Sequence, residues 1–161
     1  MDIASNIKEV TERIDRAAAR AGRNPGDIML VVVTKYVEDA DILAAAEAGI
    51  AHFGESRVQD AERRIMRLSE RGLHPTWHMI GHLQRNKVQT ALKIFDIIHS
   101  IDSVRLAQAV SAQAEKVVPV LLQVNVAGEE TKGGFEKDEL PEAVAEISRL
   151  PNLSIRGLMT I

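Results

Sequence analysis

The residue best placed for covalent chemistry is Lys35, just past the apolar run Ile28–Val33 in the segment VVVTKY. Where strands alternate with helices, sites are built at the C-terminal ends of strands. A free lysine has a pKa near ~10.4, so only about one in 10^3 to 10^4 is neutral at pH 7. A nucleophilic lysine therefore has to be sheltered from water or set near positive charge, and a sheltered one is neutral or covalently capped. Otherwise a lysine at a strand end is a solvated loop residue. His78 and His82, in WHMIGHLQRNK, come next. Four residues of strand span about 13 Å, too far for one ion. His78 then reads as a packed strand residue, and His82, at the strand end, as one able to hydrogen-bond a ligand. His52, His74 and His99 are scattered and suggest no metal site.

Several chemistries are excluded. Cysteine is absent, which removes disulfides, thiolate metal sites and cysteine nucleophiles. No G-x-S-x-G elbow, Rossmann G-x-G-x-x-G or P-loop G-x-x-x-x-G-K-[ST] occurs. The segment GESRVQDAERRIMRLSER carries five arginines, but helical spacing spreads them over a solvated face with no aromatics between them for base stacking. With 20 Lys plus Arg against 23 Asp plus Glu, the net charge is −3, which argues against a nucleic-acid partner held by charge.

The elements that must position these residues are legible. Six short, β-branched apolar runs recur: Ile28–Val33, Ile50–Phe53, Thr76–Ile80, Ile97–Ile101, Val117–Val126 and Leu153–Ile161. Their starts lie roughly 20 to 35 residues apart, the size of βα units. IMLVVV and VVPVLLQVNV are nearly continuous, as in parallel strands covered on both faces. Between the runs lie helical patterns. Ile3, Ile7, Val10, Ile14 and Ala18 form one stripe, stopped at Gly22. Glu38, Asp39 and Asp41 crowd the first turn of a second helix, stopped at Gly49. Val58, Ala61, Ile65 and Leu68 mark a third, stopped at Gly72, and a fourth runs from about Gln84 to Lys93. Asp102 or Ser103 is placed to cap the helix carrying Leu106 and Val110, and Asp138 the one carrying Leu140 and Val144. The glycine-bearing stretch Ala127–Lys137 reads as a functional or mobile loop, or a plain surface excursion. The pattern predicts an α/β fold, either a (β/α)8 barrel or an open doubly wound sheet.

Length bears on that choice. The 161 residues suggest one domain, 1–161, and 45% of them are apolar, enough for a core. Eight βα units at about 25 residues each need roughly 200 or more. Only six units are present, and the last run reaches Ile161. The expectation is the front portion of a longer polypeptide, testable by intact mass. Its open edges would invite self-association, whereas a full-length barrel is expected to be a monomer. No apolar run approaches the ~20 residues that span a bilayer. The N-terminus lacks a signal-peptide core, so the sequence reads as soluble and cytoplasmic, with no membrane partner.

Taken together, VVVTKYVEDADILAAAEAG, HFGESRVQDA, WHMIGHLQRNKV, IHSIDS, LLQVNVAGEETKGGF and IRGLMTI resemble, in order, the signature blocks of the pyridoxal-phosphate homeostasis proteins. The resemblance implies a (β/α)8 TIM barrel of the alanine-racemase N-terminal type, with about six of its βα units in this chain. It implies that Lys35 forms a Schiff base with pyridoxal 5'-phosphate (PLP), with Ser56 and His82 flanking the ring. It implies a PLP carrier without catalytic turnover, delivering cofactor to apo-PLP enzymes. Where the family usually reads Phe-Gly-Glu-Asn, this chain reads Phe53-Gly54-Glu55-Ser56, and serine reaches less far than asparagine. The family's phosphate loop and a later arginine near the pyridine nitrogen match nothing in residues 1–161, so a chain ending at Ile161 is expected to hold PLP weakly. The alternatives are a PLP-dependent amino-acid racemase or decarboxylase on the same barrel, and a binder of some other phosphate ligand.

Overall fold

The computed structural model describes residues 2–129 and 133–161. Helix α1 (Ile3–Arg20) leads into five βα repeats and a sixth strand: β1 (Val32–Val33), α2 (Asp39–Glu47), β2 (His52–Glu55), α3 (Val58–Glu70), β3 (Thr76–Met79), α4 (Val88–Ile94), β4 (Ile97–Ile101), α5 (Val104–Gln113), β5 (Val118–Gln123), α6 (Leu140–Ile147) and β6 (Leu153–Met159). All neighbouring strands are parallel, in the spatial order β1-β2-β3-β4-β5-β6. A doubly wound sheet reverses its strand order at a switch point, and this one does not. Consecutive order with α3 packed on α4, α4 on α5 and α5 on α6 puts these helices side by side on one face, as around a barrel. The sheet is a six-stranded arc with β1 and β6 as its edges.

Strand periodicity sorts the side chains. Phe53, Trp77, Met79, Ile98, Val120 and Leu122 are buried in one core with Ile42, Ala61, Leu68, Val88, Ala107 and Ile147 of the helices. Intervening residues such as His52, His78 and His99 point to the inner face of the arc. Glycine stops three helices as their patterns predict: Gly22, Gly49 and Gly72 have φ of 65°, 97° and 81°, a conformation that a Cβ penalises. Among the described residues, no helix is long and apolar enough to cross a membrane.

Three expectations need correction, and a fourth, the α5 cap left open between Asp102 and Ser103, is narrowed. The run Ile28–Val33 pairs only at Val32 and Val33, and Met29 and Val33 are exposed. An edge strand has a neighbour on one side only, and the inner face of an open arc is wet, so continuous apolar character brought burial only on the helix side. The fourth helical segment begins as a tight 3-10 turn, Arg85–Lys87, before α4. Ser103, and not Asp102, caps α5 by accepting from the Leu106 N–H at 3.3 Å. Asp138 caps nothing: Glu139 precedes α6, with Pro141 in its first turn. Of the loop 127–137, residues 130–132 lie outside the described residues. Its flanks are pinned by buried Phe135, whose N–H donates to the Gln123 carbonyl at 2.8 Å, and by the Asn125 side chain.

Candidate functional site

Lys35, Ser56 and His82 meet at the C-terminal ends of β1, β2 and β3. They line one cavity of about 340 Å³ together with Tyr36, Glu55, Arg57, Arg64 and Gly81. Lys35 is exposed, its ammonium 4.8 Å above the centre of the Tyr36 ring. The shelter a nucleophilic lysine calls for is not built by the described residues, because the arc is open on that side. His82 is also exposed, and its Nδ1 lies 3.0 Å from the Asp102 carboxylate at the end of β4, which also accepts from the Ser103 hydroxyl. With Nδ1 so engaged, Nε2 is the nitrogen left for any further hydrogen bond. Ser56 approaches Gly81 so closely that a Cβ there would lie 2.2 Å from the Ser56 carbonyl oxygen. Gly81 thus lets the strand ends that carry Ser56 and His82 come together.

The backbone under Lys35 is unusual. Tyr36 has φ of 64°, the only non-glycine residue with positive φ among the described residues. It is the third residue of a tight turn, Thr34–Val37, closed by the Val37 N–H to the Thr34 carbonyl at 3.4 Å. Such a turn takes glycine or asparagine at its third position, and another L-residue costs about 1–2 kcal/mol. Beneath the turn lies a buried charge network. Arg64, on α3, donates to the carbonyls of Thr34 at 2.6 Å and Val37 at 2.9 Å, and to Glu55 Oε1 at 2.6 Å. Glu55 and Thr34 are both buried, and the Thr34 hydroxyl donates to the same carboxylate oxygen at 2.6 Å. Arg64 Nε has no hydrogen-bond partner, with Asp39 Oδ1 at 3.6 Å. A bidentate hydrogen bond from Arg67 holds the Asp39 carboxyl below its ordinary pKa, against an opposing effect of burial; the charges of Arg67 itself, Arg64 and Arg71 add to the lowering.

The inner face holds a second polar group that sequence spacing did not disclose. His52, His78 and His99 are not scattered but form a row across β2, β3 and β4. His52 Nδ1 lies 3.1 Å from His78 Nε2, and His78 Nδ1 lies 2.9 Å from His99 Nε2. Adjacent strands are staggered (Gly54 is level with His78, and Met79 with Ile98), so residues two positions apart in register share an inner layer. Of the three histidines the spacing left scattered, only His74 stands apart, near Ser69. His78 is buried, and burial above all, then the neighbouring His99 and His52, push its pKa down to about 4. Burial lowers that of His99 as well. Among the described residues no cluster of three or more potential ligands is arranged to hold a metal ion.

This arrangement defines a class: a parallel βα-barrel domain with a lysine at the end of its first strand. Residues 5–161 match the family described as alanine racemase, N-terminal domain. The pyridoxal phosphate homeostasis protein of Escherichia coli is 39% identical over 164 residues, covering 99% of this chain and 70% of that protein. Among solved structures, an unknown protein from Bifidobacterium adolescentis superposes with a TM-score of 0.90 at 35% identity, over 99% of this chain and 69% of that one. PipY of Synechococcus elongatus with PLP bound gives a TM-score of 0.78 at 34% identity, over 92% and 69%. The chain belongs to the alanine racemase N-terminal domain family, among the pyridoxal phosphate homeostasis proteins.

Proposed function

We propose that this chain binds PLP as a carrier and buffer of the cofactor, without turnover, and that Lys35 engages it. The carrying observation is the placement of Lys35 over a cavity of about 340 Å³ that it shares with Ser56 and His82. The donor set suits the ligand: an amine for an aldehyde, with a hydroxyl and an imidazole alongside, in a cavity within the usual range for small ligands. When bound, PLP supplies an electrophilic aldehyde that an unprotonated amine attacks with loss of water. Lys35 offers that amine. The Ser56 hydroxyl donates and accepts at the cavity wall. His82, oriented by Asp102, presents Nε2. Family membership supports the carrier role, and the PLP-bound relative supports the ligand. The cytoplasm, a monomeric barrel and apo-PLP enzymes as recipients complete the reading.

The test is borohydride reduction of protein incubated with PLP, followed by peptide mapping. The label is expected on Lys35, with an absorbance band that Lys35→Ala abolishes. Label confined to another lysine, or none at all, overturns the assignment. Exchange of an amino acid's α-proton in deuterated water, in excess of protein, would make the chain an enzyme instead.

A further inference from the structure

We propose that Arg64 is a positioning residue for Lys35. Its guanidinium straps the turn Thr34–Val37 from below, and so holds the lysine over the cavity in spite of the strain at Tyr36. The inference rests on the reading of Lys35 as the residue that engages PLP.

Three observations carry it. First, the turn bearing Lys35 is held in a conformation its sequence disfavours: Tyr36 sits at φ 64°, 84% exposed, with no burial of its own to compensate. A strained residue persists only where its surroundings over-determine it. Secondly, the turn's own closing bond is long, 3.4 Å, whereas the two bonds from Arg64 to the carbonyls of its first and last residues are 2.6 and 2.9 Å. The strap is the stronger restraint. Thirdly, Arg64 is itself fixed. Glu55 is buried, accepts from Arg64 and from Thr34 through one oxygen, and is anchored in β2 next to Ser56. One guanidinium therefore ties the lysine turn to the strand end that forms the opposite cavity wall. A planar fork of donors does this, and a lysine ammonium cannot reproduce it.

Without the strap the turn can relax Tyr36 to negative φ, which re-aims the adjacent Lys35. Misplacing a reacting group by about 1 Å costs up to ~10²-fold in rate. The Arg64→Ala variant leaves Glu55 buried without its cation and risks not folding, so the decisive variant is Arg64→Met with Glu55→Gln. It removes both charges and keeps an acceptor for Thr34.

Two measurements are made on that double variant. Without PLP, amide exchange of a peptide covering residues 33–38 is expected to speed up by about tenfold or more, while peptides from β3 and β4 keep their protection. With PLP and borohydride, the rate of label appearing on Lys35 is expected to fall by about tenfold or more. Adding Tyr36→Asn, which tolerates the left-handed conformation, is expected to restore labelling at least partly. Arg64→Lys is expected to behave like the double variant. If the double variant exchanges and labels like the unmodified protein, or if Tyr36→Asn restores nothing, the positioning role is wrong. If the unmodified protein itself takes no label on Lys35 while local exchange responds as described, it is the Lys35 reading that fails and the strap that stands.

Discussion

Two buried polar groups lie on opposite sides of the same sheet, and they meet the cost of burial in opposite ways. On the helix side, buried Glu55 is paired with the Arg64 guanidinium and accepts from the Thr34 hydroxyl. On the inner side, burial disfavours the charged forms of His78 and His99, and the rings of His52, His78 and His99 join nitrogen to nitrogen. A buried ion has to be paired, whereas a buried imidazole can shed its proton near neutrality. A neutral His78 has one N–H, so it donates to one neighbour and accepts from the other, which gives the row a direction. The charged group restrains backbone. The neutral group fills an inner layer without demanding a counter-ion.

The largest expected effect comes from breaking the charged side. Arg64→Ala strands the buried Glu55 carboxylate and two carbonyls, and the expected loss is about 3–5 kcal/mol in urea unfolding. Arg64→Met with Glu55→Gln should recover most of it, because the unpaired charge is then gone as well. A loss under about 1 kcal/mol in the single variant would mean that water already screens this group, and the contrast would be lost.

The neutral side should break with acid instead. The unfolded chain binds a proton at His78 near 6.5, and the folded protein only near 4. Between these values the unfolded state holds more protons, so stability is intact above about 6.5 and falls as the pH drops toward 4. The loss from His78 approaches about 3 kcal/mol at the acid end, and His99 adds to it with the same sign. The difference in stability between the unmodified protein and His78→Leu, followed from pH 7 to 4, isolates this contribution from carboxylates titrating in the same range. A flat difference would show that His78 is charged or solvated in the folded state.

How much of this was legible beforehand depended on the range of the interaction. Helix stripes, glycine stops and the six β-branched runs are local features, and they placed nearly every element. Lys35 and His82 could be put at strand ends from sequence, because strand ends follow from strand runs, whereas Ser56 was reached only through the family resemblance. The histidine row could not, since it depends on stagger between strands, and spacings of 26 and 21 residues carry no register. The strap was hidden for a related reason: Arg64 sits among five arginines in one segment, and only the rotation of α3 over β1 and β2 turns this one inward. Nor does a Tyr in TKYV signal positive φ, because glycine or asparagine is the residue that announces such a turn.

A subtler cut sharpens the directional row. In His52→Ala the Nδ1 that meets His78 Nε2 is removed, and a buried ring nitrogen loses its partner. The expected cost is about 1–3 kcal/mol at pH 7. Ring ¹⁵N resonances of His78 should show one protonated and one unprotonated nitrogen at neutral pH, both becoming protonated-type only near pH 4. Two protonated nitrogens at pH 7 would contradict a neutral His78.

The smallest effect lies where the charged group reaches solvent. Arg67 forms a bidentate pair with Asp39 at 2.8 and 3.0 Å, but its side chain is half exposed. Water competes there for both partners, and salt screens what remains. Asp39 also has a second source of stabilisation that Arg67→Ala leaves in place, since it opens α2 where the helix dipole favours an anion. Arg67→Ala should therefore lower the thermal midpoint only slightly, with the difference vanishing in about 1 M salt, where the screening length is near 3 Å. The loss in Arg64→Ala, on the same helix and in the same network, should persist in that salt. If both losses shrank together, Arg64 would be as wet as Arg67, and the turn under Lys35 would be held by something other than a buried guanidinium.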